Sequence, residues 1–217
     1  MHIFLMLSVP VAYIYALILR DEANQPAALT AVSALKGALA YLIVLVPLLL
    51  IDRFVERPFT GAGLYFYGAV YDYVVPGHLG FLLYLWFTRD PGGLAPDERF
   101  VSLLSFFAGL FALSGIMDVF LRPFHLGAYE LFHLPALRIT LMLILPVLSY
   151  HYAAETLWLR YLHLLLIIAT PFALSVAPLL INMNYTLAGA AVTAALFAGG
   201  WAAALFAAGG ARSVRFR

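Results

Sequence analysis

Apolar stretches alternate with short polar ones along this chain, and each apolar stretch is close to a membrane thickness in length. Seven can be read, at approximately 3–19, 29–51, 62–87, 101–121, 136–153, 157–181 and 186–208. A helix needs ~20 residues to cross the hydrocarbon layer, so each segment predicts one spanning helix. Strands of a transmembrane barrel would show ~10-residue segments alternating with period two. Runs such as LIVLVPLLLI and TLMLILPVL are apolar on every face instead. Only helices and closed barrels satisfy the backbone inside lipid, so the pattern predicts an all-α, polytopic membrane helix bundle.

The connections carry turn chemistry: Arg20 to Pro26, Asp52 to Pro58, and Thr88-Arg89-Asp90-Pro91-Gly92-Gly93. Residues 161–211 contain no Asp, Glu, Lys or Arg. So long a run exceeds one helix, and Asn182-Met183-Asn184-Tyr185 is the natural hairpin turn within it. No Lys or Arg precedes Arg20 and no cleavage motif follows, so 3–19 reads as a retained helix rather than a signal peptide.

Composition supports this picture. Of 217 residues, 65% are hydrophobic and 11% charged, with a mean hydropathy of +0.97. Water-soluble domains carry about 25% charged residues, so residues 1–217 are expected to form a single integral membrane domain in contact with the lipid bilayer. A net charge of +1 gives no basic field for nucleic acid. Without cysteine, disulfides and thiolate chemistry are excluded. With the N-terminus outside, the inner side collects Arg20, Lys36, Arg89, Arg99, Arg160, Arg212, Arg215 and Arg217, and the outer side Arg53, Arg57, Arg122 and Arg138. The excess of inner cations predicts N-out, C-in and a multi-pass protein of the cell membrane.

Prolines lie inside the first, second, fifth and sixth segments at Pro10, Pro47, Pro146 and Pro178, among others. Val9-Pro10-Val11 pairs with Leu145-Pro146-Val147, and Val46-Pro47-Leu48-Leu49 with Ala177-Pro178-Leu179-Leu180. These pairs suggest a 3+1+3 parallel repeat, with halves 1–87 and 136–208 joined by 101–135. In proline placement and N-out topology the chain resembles, in layout alone, the SWEET sugar transporters. That resemblance implies parallel halves around a solute path.

Ionisable groups at membrane depth are costly and mark pathways or pairs. Asp72 stands about ten residues into its segment, in GAVYDYVVPGHLG. Pro76 and Gly77 can open the helix one turn later, His78 follows, and Tyr71 adds a hydroxyl. This is the candidate substrate or ion site, with Lys36, the sole lysine, as a further member. Snorkelling to the interface is the simpler role for Lys36, and a bond to Asp72 the sharper one. A second polar band runs from 118 to 163, with Asp118, His125, Glu130, His133, His151, Glu155 and His163. Its part at 118–138 reads either as an interfacial, partly re-entrant connection or as a plain loop. Asp118 and Arg122 are spaced to pair on one helix face, and so are His151 and Glu155. His163 falls about 120° around an ideal helix from His151. No metal site and no cofactor are therefore expected.

Leu134-Pro135-Ala136-Leu137 and Tyr71-Asp72 are similar to elements of intramembrane aspartyl proteases, but the second Gly-x-Gly-Asp aspartate is absent. Ser114 and Ser175 stand outside any nucleophile elbow, and the last segment has no lysine to hold retinal. Three function classes remain. The first is a transporter or channel for a small solute or ion, proton-coupled through Asp72. The second is an intramembrane enzyme that acts on a lipid or lipidated substrate through the 118–163 band. The third is a non-catalytic assembly or sensory subunit. The Ala- and Gly-rich last segment, LAGAAVTAALFAGGWAAALFAAGG, predicts close helix packing or a homo-oligomer face.

Overall fold

The computed structural model describes residues 27–56, 58, 61–88, 96–121, 132–154 and 157–215, and no strand occurs among them. The predicted segment 3–19 lies outside the described residues. The other six apolar segments each form a helical rod. α1 is Ala27–Phe54. The second rod, residues 61–87, consists of α2 (Gly61–Gly68), a π-helix (Ala69–Leu79) and α3 (Gly80–Phe87). α4 is Pro96–Leu121 and α5 is Leu134–Ala154. The fifth rod is interrupted, with α6 at Leu157–Leu174 and α7 at Val176–Asn182. α8, Thr186–Arg215, is the last. Four helices are long and apolar enough to cross a membrane: Leu29–Phe54, Glu98–Met117, Trp158–Asn182 and Thr186–Phe206.

Successive rods reverse direction. Lys36, early in α1, meets the carbonyl of Phe87 at the end of the second rod. Ser33 meets Ser102, early in α4, so α1 and α4 run parallel. The end of α4 meets the start of α5 around Phe111, Gly115, Leu134 and Arg138. His133 lies beside Thr193, and Gly200 packs on Thr140, so α5 and α8 run parallel. The starts of α1 and α4 and the end of α8 therefore share one face of the bundle.

The tightest packing joins α1 to α4. A Cβ on Gly37 would overlap the carbonyl of Phe106, and one on Gly109 would overlap that of Ala34. Within lipid no hydrophobic force draws helices together, so contact of this kind between backbones holds them. Around it lies an aromatic core. Phe106, Phe107 and Tyr73 are buried, Tyr84 sits edge-on to Phe106 at 5.4 Å, and Phe107 stacks on Phe111 at 6.1 Å. α4 is the central helix: 56% of its apolar window is buried, against 22% for α8.

The outer surface is apolar. Leu35, Val46, Leu165, Leu187 and Phe206 are exposed. Soluble monomers rarely expose contiguous apolar surface of this extent, and hydrocarbon is the solvent that suits it.

Two predicted turns have clear local causes. Asn184 adopts a left-handed conformation with φ of 67°. The Tyr185 amide bonds the Leu180 carbonyl at 2.9 Å and the Asn184 amide bonds that of Ile181 at 3.0 Å. This is the helix-ending motif in which two orphan carbonyls are satisfied by the residues just beyond, with Asn in place of the usual Gly. The π-helix contains Pro76. A proline ring clashes with the carbonyl four residues back, here that of Asp72, and brings no amide. Widening the turn relieves the clash. The sequence predicts an opened helix at Pro76-Gly77, and the rod accommodates the proline as a π segment without a gap.

The helix-interior prolines behave unequally. Pro47 and Pro146 lie inside uninterrupted helices. The breaks occur where a proline has a second disruptive neighbour: Gly77 after Pro76, and Pro178 two turns after Pro171.

Candidate functional site

The two disrupted rods pack on one another. On the fifth rod, Pro171 has no amide to give the carbonyl of Ile167. That carbonyl instead meets the imidazole Nε2 of His78, on the π-helix, at 3.2 Å. Nearby, the hydroxyl of Tyr65 donates to the carbonyl of Phe172 at 2.8 Å. At the break itself, Ser175 sends both its amide (3.1 Å) and its hydroxyl (2.9 Å) to the Pro171 carbonyl. Thr170 donates to the Leu166 carbonyl at 2.7 Å. Hydroxyls that bond back along a helix bend it, and here Thr170 and Ser175 flank the proline. The second rod thus supplies two side-chain donors to the backbone of the fifth exactly where that backbone leaves regular helix.

The π-helix points its other faces elsewhere. Gly77 lies against α5, where a Cβ would come within 3.1 Å of Leu141. At Gly80, the residue after the π-helix, a Cβ would crowd Leu110 at 2.8 Å. Both glycines let the second rod approach its neighbours closely. Asp72 is half-buried on the π-helix. Gly68, one turn back, lies beside it: a Cβ there would make ordinary van der Waals contact with Asp72 Oδ2 at 4.0 Å. Tyr71 stacks on Tyr67 with ring centroids 5.5 Å apart. The Tyr67 hydroxyl reaches Asp52 Oδ1 at a long 3.5 Å.

Of the substrate-site residues that the sequence singles out, Asp72, Tyr71 and His78 therefore share the π-helix. Lys36 stands apart from them. Its ammonium bonds the Phe87 carbonyl at 3.3 Å, and Phe87 lies fifteen residues beyond Asp72, about 20 Å along a helix. The lysine occupies the C-terminal end of α3, where a cation complements the helix dipole.

Of the 118–163 band, the side chains of His133 and His163 are the ones described, and each makes its own contact. His125, Glu130 and Glu155 lie outside the described residues. Asp118 falls in the last turn of α4 and His151 near the end of α5. His133 meets Thr193 at 3.1 Å, and the Thr193 hydroxyl donates to Gly189 at 2.9 Å. With its single proton spent there, Thr193 can only accept, so His133 donates from Nδ1. This bond ties α5 to α8. His163 bonds the Leu159 carbonyl of its own helix at 2.7 Å. Among the described residues no three His, Asp or Glu side chains are grouped to hold a metal ion.

Sequence reading did not single out Pro171 or Ile167. The signal for Ile167 was present, since a proline four residues on frees its carbonyl. Nothing in the sequence indicated which side chain would come to meet it. No protein-family model, curated protein or solved structure matches this chain.

Proposed function

We propose that this protein is a multi-pass cell-membrane transporter or channel for a small solute or ion, proton-coupled through Asp72. The observation that carries the reading is the packing of two disrupted rods, each with a proline at its irregular stretch and one with an intramembrane carboxylate. Transporters use such discontinuous helices because freed backbone groups bind solutes and ions near the midplane. A carboxylate at that depth is costly and is retained where it moves or binds charge.

The reading includes seven spans, with 3–19 as the first, and an N-out, C-in orientation. Because the chain lacks cysteine, single introduced cysteines at residue 2 and residue 214 report the orientation by labelling from either side of intact cells. The 3+1+3 repeat adds nothing to the proposal, since Pro47 lies in an unbroken helix and its counterpart Pro178 lies just past a break.

The test uses proteoliposomes with a pH-sensitive dye inside and a panel of sugars, amino acids and monovalent ions outside. Wild-type protein is expected to give solute-dependent proton flux. Asp72→Asn should abolish it, and Asp52→Asn, at the exposed end of α1, should retain it. Equal flux in wild type and Asp72→Asn would remove Asp72 from the mechanism.

A further inference from the structure

The two ends of the second rod are built differently. α2 and α3 are each 8 residues long. α3 buries Gly80, Leu83 and Tyr84 in the bundle, whereas no residue of α2 is buried. α2 reads GAGLYFYG, with a glycine at either end. Gly61, at its start, takes a left-handed φ of 70° that suits glycine. Gly68, at its end, passes directly into the π-helix. So short a helix, with no buried residue, has little packing to hold it. Segments of that kind open at low free-energy cost.

Aromatic side chains fasten α2 on two sides. On one, the Tyr65 hydroxyl donates to the Phe172 carbonyl at 2.8 Å, and the Phe66 ring stands edge-on to that of Phe172 at 6.4 Å. On the other, the Tyr67 hydroxyl reaches Asp52, near the end of α1, at 3.5 Å. α2 thus bridges the fifth rod and α1, at the end of the bundle opposite the starts of α1 and α4. Asp72 lies directly beneath it. Its Oδ2 points back toward Gly68, and the Tyr67 ring stacks on Tyr71 beside it. The fastening to the fifth rod falls just past Pro171, whereas His78 bonds Ile167, four residues before that proline. The two bonds straddle the bend. α2 can therefore release Phe172 while the π-helix stays held at Ile167.

We propose that α2 is a lid over Asp72, hinged at Gly68 and latched by the bond from Tyr65 to the Phe172 carbonyl. Its role as a gate rests on the reading of Asp72 as the transport carboxylate. A solute or proton that arrives from this end of the bundle meets α2 before Asp72, and water that enters with it can bond the parted hydroxyl and carbonyl. Tyr65 is a positioning residue, since it acts through where α2 stands. Loss of its hydroxyl should shift the lid toward the open state by about fivefold, the worth of one net hydrogen bond.

Two measurements on the full chain in proteoliposomes test the lid. Because the chain lacks cysteine, Asp72→Cys reports access to that position through its rate of labelling by a water-soluble thiol reagent present on both sides. Adding Tyr65→Phe should raise this rate about fivefold. Ala108→Cys, in the α4 core, should label equally slowly with and without Tyr65→Phe. An unchanged rate at Asp72→Cys overturns the lid, and so does an equal rise at Ala108→Cys, which marks general loosening. The second measurement joins Phe66→Cys to Phe172→Cys with a short bis-methanethiosulfonate. Solute-dependent proton flux should fall at least about tenfold, as expected when a lid cannot open, and return on reduction. Undiminished flux through the cross-linked protein overturns the gate. If wild-type protein gives no flux at all, the transport reading falls, and the labelling rates decide the lid by themselves.

Discussion

The imidazole of His78 occupies the carbonyl of Ile167, at 3.2 Å, that Pro171 leaves without an amide donor. The bond joins the π-helix of the second rod to the disrupted fifth rod, so its loss exposes a buried acceptor. His78→Leu should destabilise the folded protein by about 1–2 kcal/mol. The cost depends on the proline. With Pro171→Ala, an alanine amide can bond Ile167 from within the helix, and His78→Leu should then cost markedly less. Unfolding of the four members of this double-mutant cycle in mixed micelles measures the difference. An equal cost in both backgrounds would show that the His78 bond has no connection with Pro171.

Gly37 and Gly109 allow α1 and α4 to touch backbone to backbone. Leucine at either position must push the helices apart, and a loss of at least about 3 kcal/mol is expected, as for severe overpacking. Gly199, in α8, has open space around it. Gly199→Leu should stay within about 0.5 kcal/mol of wild type. Yield of monodisperse protein and unfolding midpoint separate the cases.

The Ser33–Ser102 bond, at 2.9 Å, should show the asymmetry of buried polar pairs. Each single Ser→Ala change leaves one hydroxyl without its partner, whereas the double change leaves two small apolar residues. A favourable coupling of about 0.6–1.7 kcal/mol is expected from a double-mutant cycle. Strict additivity of the two substitutions would contradict it.

Pro76→Ala should regularise the second rod, because alanine restores the missing amide and removes the ring clash. Stability is expected to hold or rise. Solute-dependent proton flux is expected to fall at least about tenfold, the usual exchange of activity for stability at a strained site. Unchanged flux with a regular helix, detected by slower amide exchange over 69–79, would separate the π-helix from transport.

Six predicted segments agree with the described rods to within a turn or two at their ends. In lipid, length and apolarity alone decide where a helix runs, and both are written locally. The turn at Asn182–Tyr185 was legible for the same reason, since asparagine tolerates the left-handed backbone that ends α7. Helix packing was not legible. The Ala- and Gly-rich last segment drew attention to α8, yet the closest approach uses Gly37 and Gly109, isolated glycines in ordinary-looking helices. Among the prolines, those in the matched motifs, Pro47 and Pro146, leave their helices intact, whereas Pro76 and Pro171 accompany the disruptions.

The sequence by itself determined the helical class, the rods and most turns, because these follow from hydropathy and backbone chemistry within a few residues. Tertiary structure alone decided that His78 answers Pro171 through Ile167. It alone placed Lys36 at Phe87, far from Asp72, and set Tyr65 on Phe172. Those pairings span tens of residues of chain. They depend on which faces the helices turn to each other, and in a nearly uniform apolar sequence close packing of small residues sets that choice.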